Sequence, residues 1–244
     1  MFCHFNPCYY YTRMILNIYK PKGFTSFDVV AKVRKQLNIK AVGHAGTLDP
    51  LAEGVLVVLT GDDTKKQDEI MIQTKVYESE ITFGAQSPTL DLEMKPKARR
   101  TISVAELEKK LPALFVKYTG EFEQLIPDYS AKKIYGVPMY ELARKGIEIK
   151  SEKPLTKKVK IDEIKVIRFG EHEIECEDGV HKLPFVAVKV ICSHGTYVRA
   201  LARDLGNDLD CGAVLTKLLR VKVGNYSIEN ALPLDNITYV SRVL

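Results

Sequence analysis

The 244 residues carry a formal net charge of +5, a pI near 8.8, 45% hydrophobic and 27% charged side chains, the balance of a folded globular chain and not of a disordered or fibrous one. That length allows one large domain or two small ones with a sizeable core, and the sequence has no run of about 18 apolar residues to form a membrane-spanning helix. Five scattered cysteines, Cys3, Cys8, Cys176, Cys192 and Cys211, never spaced C-x-x-C, read as reduced thiols of a cytoplasmic protein.

Residues 1–13, MFCHFNPCYYYTR, read as a disordered or artefactual leader, with translation able to start at Met14. Cys3, His4 and Cys8 lack the second ligand pair that a metal site needs. Met14 to Tyr19 alternates as a strand and runs into the turn Lys20-Pro21-Lys22-Gly23. Thr25 or Ser26 then caps a helix with Val29, Val30, Val33 and Leu37 at helical spacing. A loop from Gly43 leads to an unbroken apolar run, Val55 to Leu59, which predicts a buried strand. Gly61 ends it, and Asp62 or Asp63 is expected to cap a helix to about Gln73.

Lys75 to Phe83 alternates again, with Val76, Glu78, Glu80 and Thr82 on one face and Tyr77, Ser79, Ile81 and Phe83 on the mostly apolar other. Ser103, with Glu106 at the capping-box position, starts a helix through Leu111. An irregular stretch follows and closes with a helix ending at Gly146. Strands are predicted over Lys157 to Arg168 and Phe185 to Cys192, a helix over Thr196 to Leu209, a strand over Val214 to Val223, and a short terminal helix from Ile228. Strands and helices mix without a regular βαβ repeat, so the predicted class is α+β with a mixed, largely antiparallel sheet. Basic clusters at Lys95, Lys97, Arg99 and Arg100, at Lys132 and Lys133, at Arg144 and Lys145, and at Lys157, Lys158 and Lys160 suit a polyanion better than a membrane face.

The chemistry concentrates in GHAGTLDPLAEG, Gly43 to Gly54. Gly43 and Gly46 permit tight or left-handed turns, and Pro50 restricts Asp49 to extended backbone. Between Leu48 and Pro50 the carboxyl is partly desolvated, which raises its pKa unless a cation stands near. A backbone of this kind comes close to a ligand and holds one acid over it. The tripeptide Leu-Asp-Pro alone would be an ordinary turn.

The full segment resembles the catalytic loop of the TruB family, bacterial pseudouridine synthases that modify the T-loop of transfer RNA, where GHxGxLDPxAxG carries the catalytic aspartate. SHGTYVRALARDLG, Ser193 to Gly206, is similar to the family's GTYxRxLxxDLG element, and the resemblance implies that Arg199 pairs with Asp49. It further implies that Tyr77 stacks on the target base and is a candidate for proton abstraction. His44 then contacts RNA near the flipped nucleotide and helps fill the space left behind, and Tyr197 and Leu218 shape the uracil pocket. Outside such a family, Arg199 would read as a surface helix residue and Tyr77 and Leu218 as core.

Residues 124–146 resemble a family segment containing I-P-x-x-Y-S-A-x-K, here with Tyr129, Ser130, Lys132, Lys133, Tyr140 and Arg144, a basic and aromatic mixture suited to gripping an RNA stem-loop. Ser87 to Asp91, SPTLD, echoes a family T-x-T-x-D loop but lacks the glycine that usually follows it. The resemblance runs from Met14 to about Leu232. It implies a pseudouridine-synthase-like fold flanked by helices and loops, with residues 14–244 as one catalytic domain, 124–146 as an RNA-gripping insertion, and no PUA-type domain at the end.

The expectation is an RNA isomerase that converts the T-loop uridine at tRNA position 55 after flipping it from the stack. The reaction needs a carboxylate, a dry pocket and something flat to hold the detached base, and neither a cofactor nor a metal. The expected partner is the T-stem-loop of tRNA, with no membrane and no obligatory protein partner, and the protein acting as a monomer. Two rivals stand beside it. A non-catalytic tRNA-binding or folding factor would depend on Lys132 and Lys133 and ignore Asp49. A phosphotransferase or hydrolase would need the D-x-D-x-T arrangement, which Pro50-Leu51 breaks.

Overall fold

The computed structural model describes residues 13–147 and 154–237. The leader expected over residues 1–13, with Cys3, His4 and Cys8, falls outside them except for Arg13. In chain order the elements are β1 (Met14–Lys20), α1 (Ser26–Leu37), β2 (Val42–His44), β3 (Glu53–Thr60), α2 (Gln67–Met71), β4 (Lys75–Phe83), β5 (Ala85–Gln86), β6 (Lys97–Ala98), α3 (Val104–Lys117), β7 (Gly120–Leu125), β8 (Lys133–Ile134), β9 (Val137–Pro138), α4 (Met139–Arg144), β10 (Thr156–Cys176), β11 (Gly179–Cys192), α5 (Val198–Asp208), β12 (Ala213–Val223), β13 (Tyr226–Ser227) and β14 (Leu232–Pro233). The class is α+β. The chain divides into two compact units, residues 1–75 with 219–244, and residues 76–218.

In the first unit, β1 pairs antiparallel with β3 (Ile18 opposite Leu56) and parallel with β14 (Ile18 opposite Leu232). The other partners of β3 are β2, antiparallel, and the end of β12, parallel, with Arg220 opposite Gly54. Covered on both sides, β3 is buried from Gly54 to Thr60, as its unbroken apolar run predicts. One core sets Leu16, Ile18, Leu56 and Val58 against Val29, Val30 and Val33 of α1, and a second gathers Ala45, Val55, Val57, Leu59, Ile70 and Val223. The α1 start is a full capping box, with Thr25 Oγ1 accepting from the Asp28 amide and the Asp28 carboxylate accepting from Thr25 N at 2.8 Å.

The second unit orders its strands β12-β4-β11-β10-β7. Its longest feature is the β10–β11 hairpin, registered from Ile161 opposite Cys192 to the turn at Cys176 and Gly179. Helix α3 opens on the Ser103–Glu106 capping box but runs to Lys117, six residues beyond the expected Leu111. Pro112 sits inside it.

Several expectations need correction. No aspartate caps a helix after Gly61. The chain winds there as a 3₁₀ helix, Gly61–Lys66, with Thr60 at its start and no side-chain cap, before α2 begins. The Gly43 loop contains the short strand β2, and β7 was not foreseen. In β4 Tyr77, Ser79, Ile81 and Phe83 are buried as expected, but so are Glu80 and Thr82. Glu80 is compensated by Arg168 at 2.5 Å and Lys217 at 3.1 Å, and the Thr82 hydroxyl bonds His172 Nε2 and the Thr216 hydroxyl. Neighbouring strands thus supply the polar partners that let the more polar side of β4 be covered as well.

Candidate active site

The turn between β2 and β3 carries Asp49, and four independent ties fix its backbone within the first unit. Ala45 N donates to Val57 O at 2.9 Å and Gly23 N to Pro50 O at 2.8 Å. The Ser26 hydroxyl accepts from Leu48 N at 2.9 Å and donates to Leu48 O at 3.1 Å, so the first turn of α1 grips the residue before Asp49. The fourth tie is Arg220. Its Nε donates to Val55 O at 2.7 Å, Nη2 to Gly46 O at 3.0 Å and Nη1 to Thr47 O at 3.3 Å, while only 1% of the residue is exposed. Gly46 (φ +103°) and Gly54 (φ +104°) make these approaches possible. A Cβ on Gly54 would stand 2.3 Å from Arg220 O.

Asp49 itself is partly exposed, with its carbonyl closing a turn onto Ala52 N at 3.0 Å. Around it the unit gathers ionisable groups. Lys20 is fully buried and donates to Phe24 O at 2.6 Å and Pro21 O at 3.1 Å. Burial pushes its ammonium down to about 8, against the opposing pull of the Asp49 charge, with Arg220 adding to the depression. Burial, assisted by Arg220, holds His44 down to about 4, so the imidazole is neutral at physiological pH. The Tyr19 hydroxyl donates to Glu53 at 2.7 Å and is pushed up to about 12 by burial and by that carboxylate.

In the second unit Tyr77 is 8% exposed on β4 and Leu218 is buried on β12. Arg199, in the first turn of α5, is also buried. It donates from Nη1 to Thr89 O at 2.7 Å and from Nη2 to Tyr129 O at 3.0 Å, and its Nε lies 3.7 Å from the Asp91 carboxylate. It is no surface residue. Three chain segments meet on one guanidinium, whose planar fork of donors suits that task. Asp91 closes the SPTLD loop: Ser87 Oγ donates to Asp91 O at 2.5 Å, and Leu90 N donates to Ser87 O. Leu90 takes φ +64° without a glycine, an unfavourable conformation for a branched side chain. Tyr197 caps α5, and Gln124 binds its backbone twice, accepting from Tyr197 N at 2.8 Å and donating to Tyr197 O at 3.1 Å.

The 124–146 segment is a small β8–β9 hairpin running into α4. Lys133 is exposed, Lys132 half-buried, and Tyr135 fully exposed at the hairpin turn. Burial and the charge of Lys132 together lower Lys157, which packs across Gly195, so positive charge concentrates here. Arg144 is exposed and pairs with Glu93 at 2.6 Å, its guanidinium lying 5.8 Å from the Tyr140 ring centre.

His44, Asp49, Ser26, Lys20 and Arg220 therefore share the first unit, and Tyr77, Tyr197, Arg199, Leu218, Lys132, Lys133 and Arg144 the second. Sequence reading missed Arg220 as the clamp of the Asp49 turn, and also Ser26, Gln124 and Asp91. The one available signal was the place of Arg220 in β12, on the same alternating face as Leu218, where the exposed Lys217 marks the other. Among the described residues Cys176, Asp178 and His181 offer ligand atoms within 4.8 Å of one another. His181 is engaged with Asp178 at 3.0 Å, and burial raises the Cys176 thiol, so hydrogen bonding at the hairpin turn accounts for the group.

The family model for TruB family pseudouridylate synthase (N-terminal domain) matches residues 34–198. The tRNA pseudouridine synthase B of Clostridium acetobutylicum is 41% identical over 223 residues, covering 91% of this chain and 71% of that protein. That of Bacteroides fragilis is 42% identical over 225 residues, 89% of each. Among solved structures, a chain of a Cbf5-Nop10-Gar1 complex aligns with TM-score 0.64 at 24% identity, covering 94% of this chain. A chain of an H/ACA RNP bound to a substrate RNA containing 2'-deoxyuridine aligns with TM-score 0.63 at 22% identity and the same coverage. These two likenesses concern the fold. The chain spans about half the length of either, 54%.

Proposed function

The chain belongs to the TruB family of pseudouridylate synthases, and on that footing we propose that it isomerises uridine to pseudouridine in tRNA, at position 55 of the T-loop, with Asp49 as the catalytic carboxylate. The reaction breaks the bond from ribose C1' to uracil N1, turns the detached base, and joins C1' to C5. The C5 proton is lost and N1 ends protonated, so no redox equivalent is consumed. Asp49 acts at the ribose or ring face. Arg199 serves as the guanidinium that pairs with and orients that acid, Tyr77 as the flat surface for the base and a candidate for the C5 proton. His44, Tyr197 and Leu218 shape the pocket, and Lys132, Lys133 and Arg144 grip the stem-loop. The protein works on tRNA in the cytoplasm as a monomer.

One observation carries this reading: an aspartate in a glycine-rich turn whose backbone is tied by Ser26 and by a buried Arg220. Such a fixed acid suits chemistry that depends on preorganised charge. Incubating T-stem-loop RNA with wild type and Asp49→Asn and counting pseudouridine tests it. Wild type converts the RNA and the variant loses at least about a thousandfold in rate, about 4 kcal/mol of barrier. Equal yields reject the assignment.

A further inference from the structure

We propose that Phe27 contacts the RNA substrate: with His44 it forms a two-ring corner that receives the nucleobase flanking the flipped uridine, a role that rests on the isomerase reading above. A single exposed apolar side chain is ordinary on a protein surface. What distinguishes Phe27, 75% exposed, is its surroundings. Its ring meets that of His44 edge to face, with centres 5.6 Å apart and planes at 81°. Its position is also fixed, because it follows the Thr25 cap and is adjacent to Ser26, whose hydroxyl holds both backbone groups of Leu48. The exposed ring and the Asp49 turn therefore share one rigid mounting.

His44 adds a polar edge to the corner. Its Nδ1 is buried and has no hydrogen-bond partner among the described residues. A buried N–H without an acceptor is the costlier arrangement, so the proton is assigned to Nε2, which leaves that nitrogen as the donor. Extruding a nucleotide unstacks its neighbours, and an unstacked base gains from a flat aromatic face whatever its sequence. A phenyl ring beside a neutral imidazole donor meets that need, whereas an aliphatic side chain offers no flat face.

Fluorescence with a T-stem-loop RNA carrying 2-aminopurine next to the target uridine tests this, with affinity and pseudouridine yield measured on the same RNA. Wild type changes the fluorescence on binding. Phe27→Ala abolishes most of that change and weakens affinity about tenfold, the scale of one lost base–aromatic stack. Because the ring is exposed, its melting temperature stays at the wild-type value. Phe27→Trp restores both signals and Phe27→Leu does not. Wild-type behaviour of Phe27→Ala, or equal rescue by leucine and tryptophan, overturns the proposal. A wild-type protein whose signal depends on Phe27 but which makes no pseudouridine removes the isomerase reading and leaves the stacking contact standing.

Discussion

Arg220 and Gly46 are joined by a 3.0 Å hydrogen bond from Nη2 to the glycine carbonyl, so a side chain of β12 sets the backbone of the turn that carries Asp49. Arg220→Met leaves three carbonyls without this donor and is expected to cost about 3 kcal/mol or more in a urea denaturation curve. Arg220→Lys keeps the charge but cannot reach three acceptors at once. It should retain most of the stability and RNA affinity and lose turnover, read as a fall in kcat at unchanged KM.

Gly54 is the tightest point of the same assembly. Gly54→Ala must adopt a positive φ and place its methyl against Arg220 O, so it is expected to destabilise the fold by at least about 2 kcal/mol. Gly23 also has positive φ but no atom within 4 Å of a built Cβ. Gly23→Ala therefore serves as the control, losing only the conformational term of about 1 kcal/mol. Thermal melts of the two variants separate clash from backbone preference.

The depressed pKa of His44 makes stability depend on pH in a defined direction. The folded imidazole titrates at about 4 and the unfolded one near 6.5, so between these values the unfolded chain binds more protons. The contribution is complete above about 6.5 and is lost as pH falls toward 4. His44→Gln removes this loss. Denaturation midpoints followed from neutral to acid pH should drop less steeply in the variant than in the wild type.

Lys20 titrates at about 8 in the fold, so its charge, which Asp49 attracts, disappears in mildly alkaline solution. Pseudouridine formation is expected to decline with a midpoint near that pH. Lys20→Arg, which stays protonated, moves the decline upward. A profile identical in both proteins would separate the alkaline limb from Lys20.

Much of the fold could be read from residue order because local signals and tertiary demands agree. The cap at Thr25, the capping box at Ser103 and the β-branched run of β3 lie where pattern puts them. The outer parts of β10 and β11 escaped because Glu171, Glu173, Glu175 and Lys182 make them look like a solvated loop, and cross-strand pairing alone makes them strands. At the site, the glycines and acid of the Asp49 turn were legible in one contiguous motif. Arg220 and Ser26 were not, since each acts through main-chain atoms far away in sequence and leaves no local spacing to read. The burial of Glu80 was not legible either, because its compensating cations come from β10 and β12.

The acceptors of Arg220 are neutral carbonyls, and its full positive charge is felt by both Lys20 and His44. Mobile ions shield charges in open solvent over about 10 Å at 0.1 M salt but reach an enclosed one far less. Two electrostatic regimes thus coexist in this molecule: the lysine contacts expected to grip phosphates fade as electrolyte is added, while the potential inside the Asp49 turn persists.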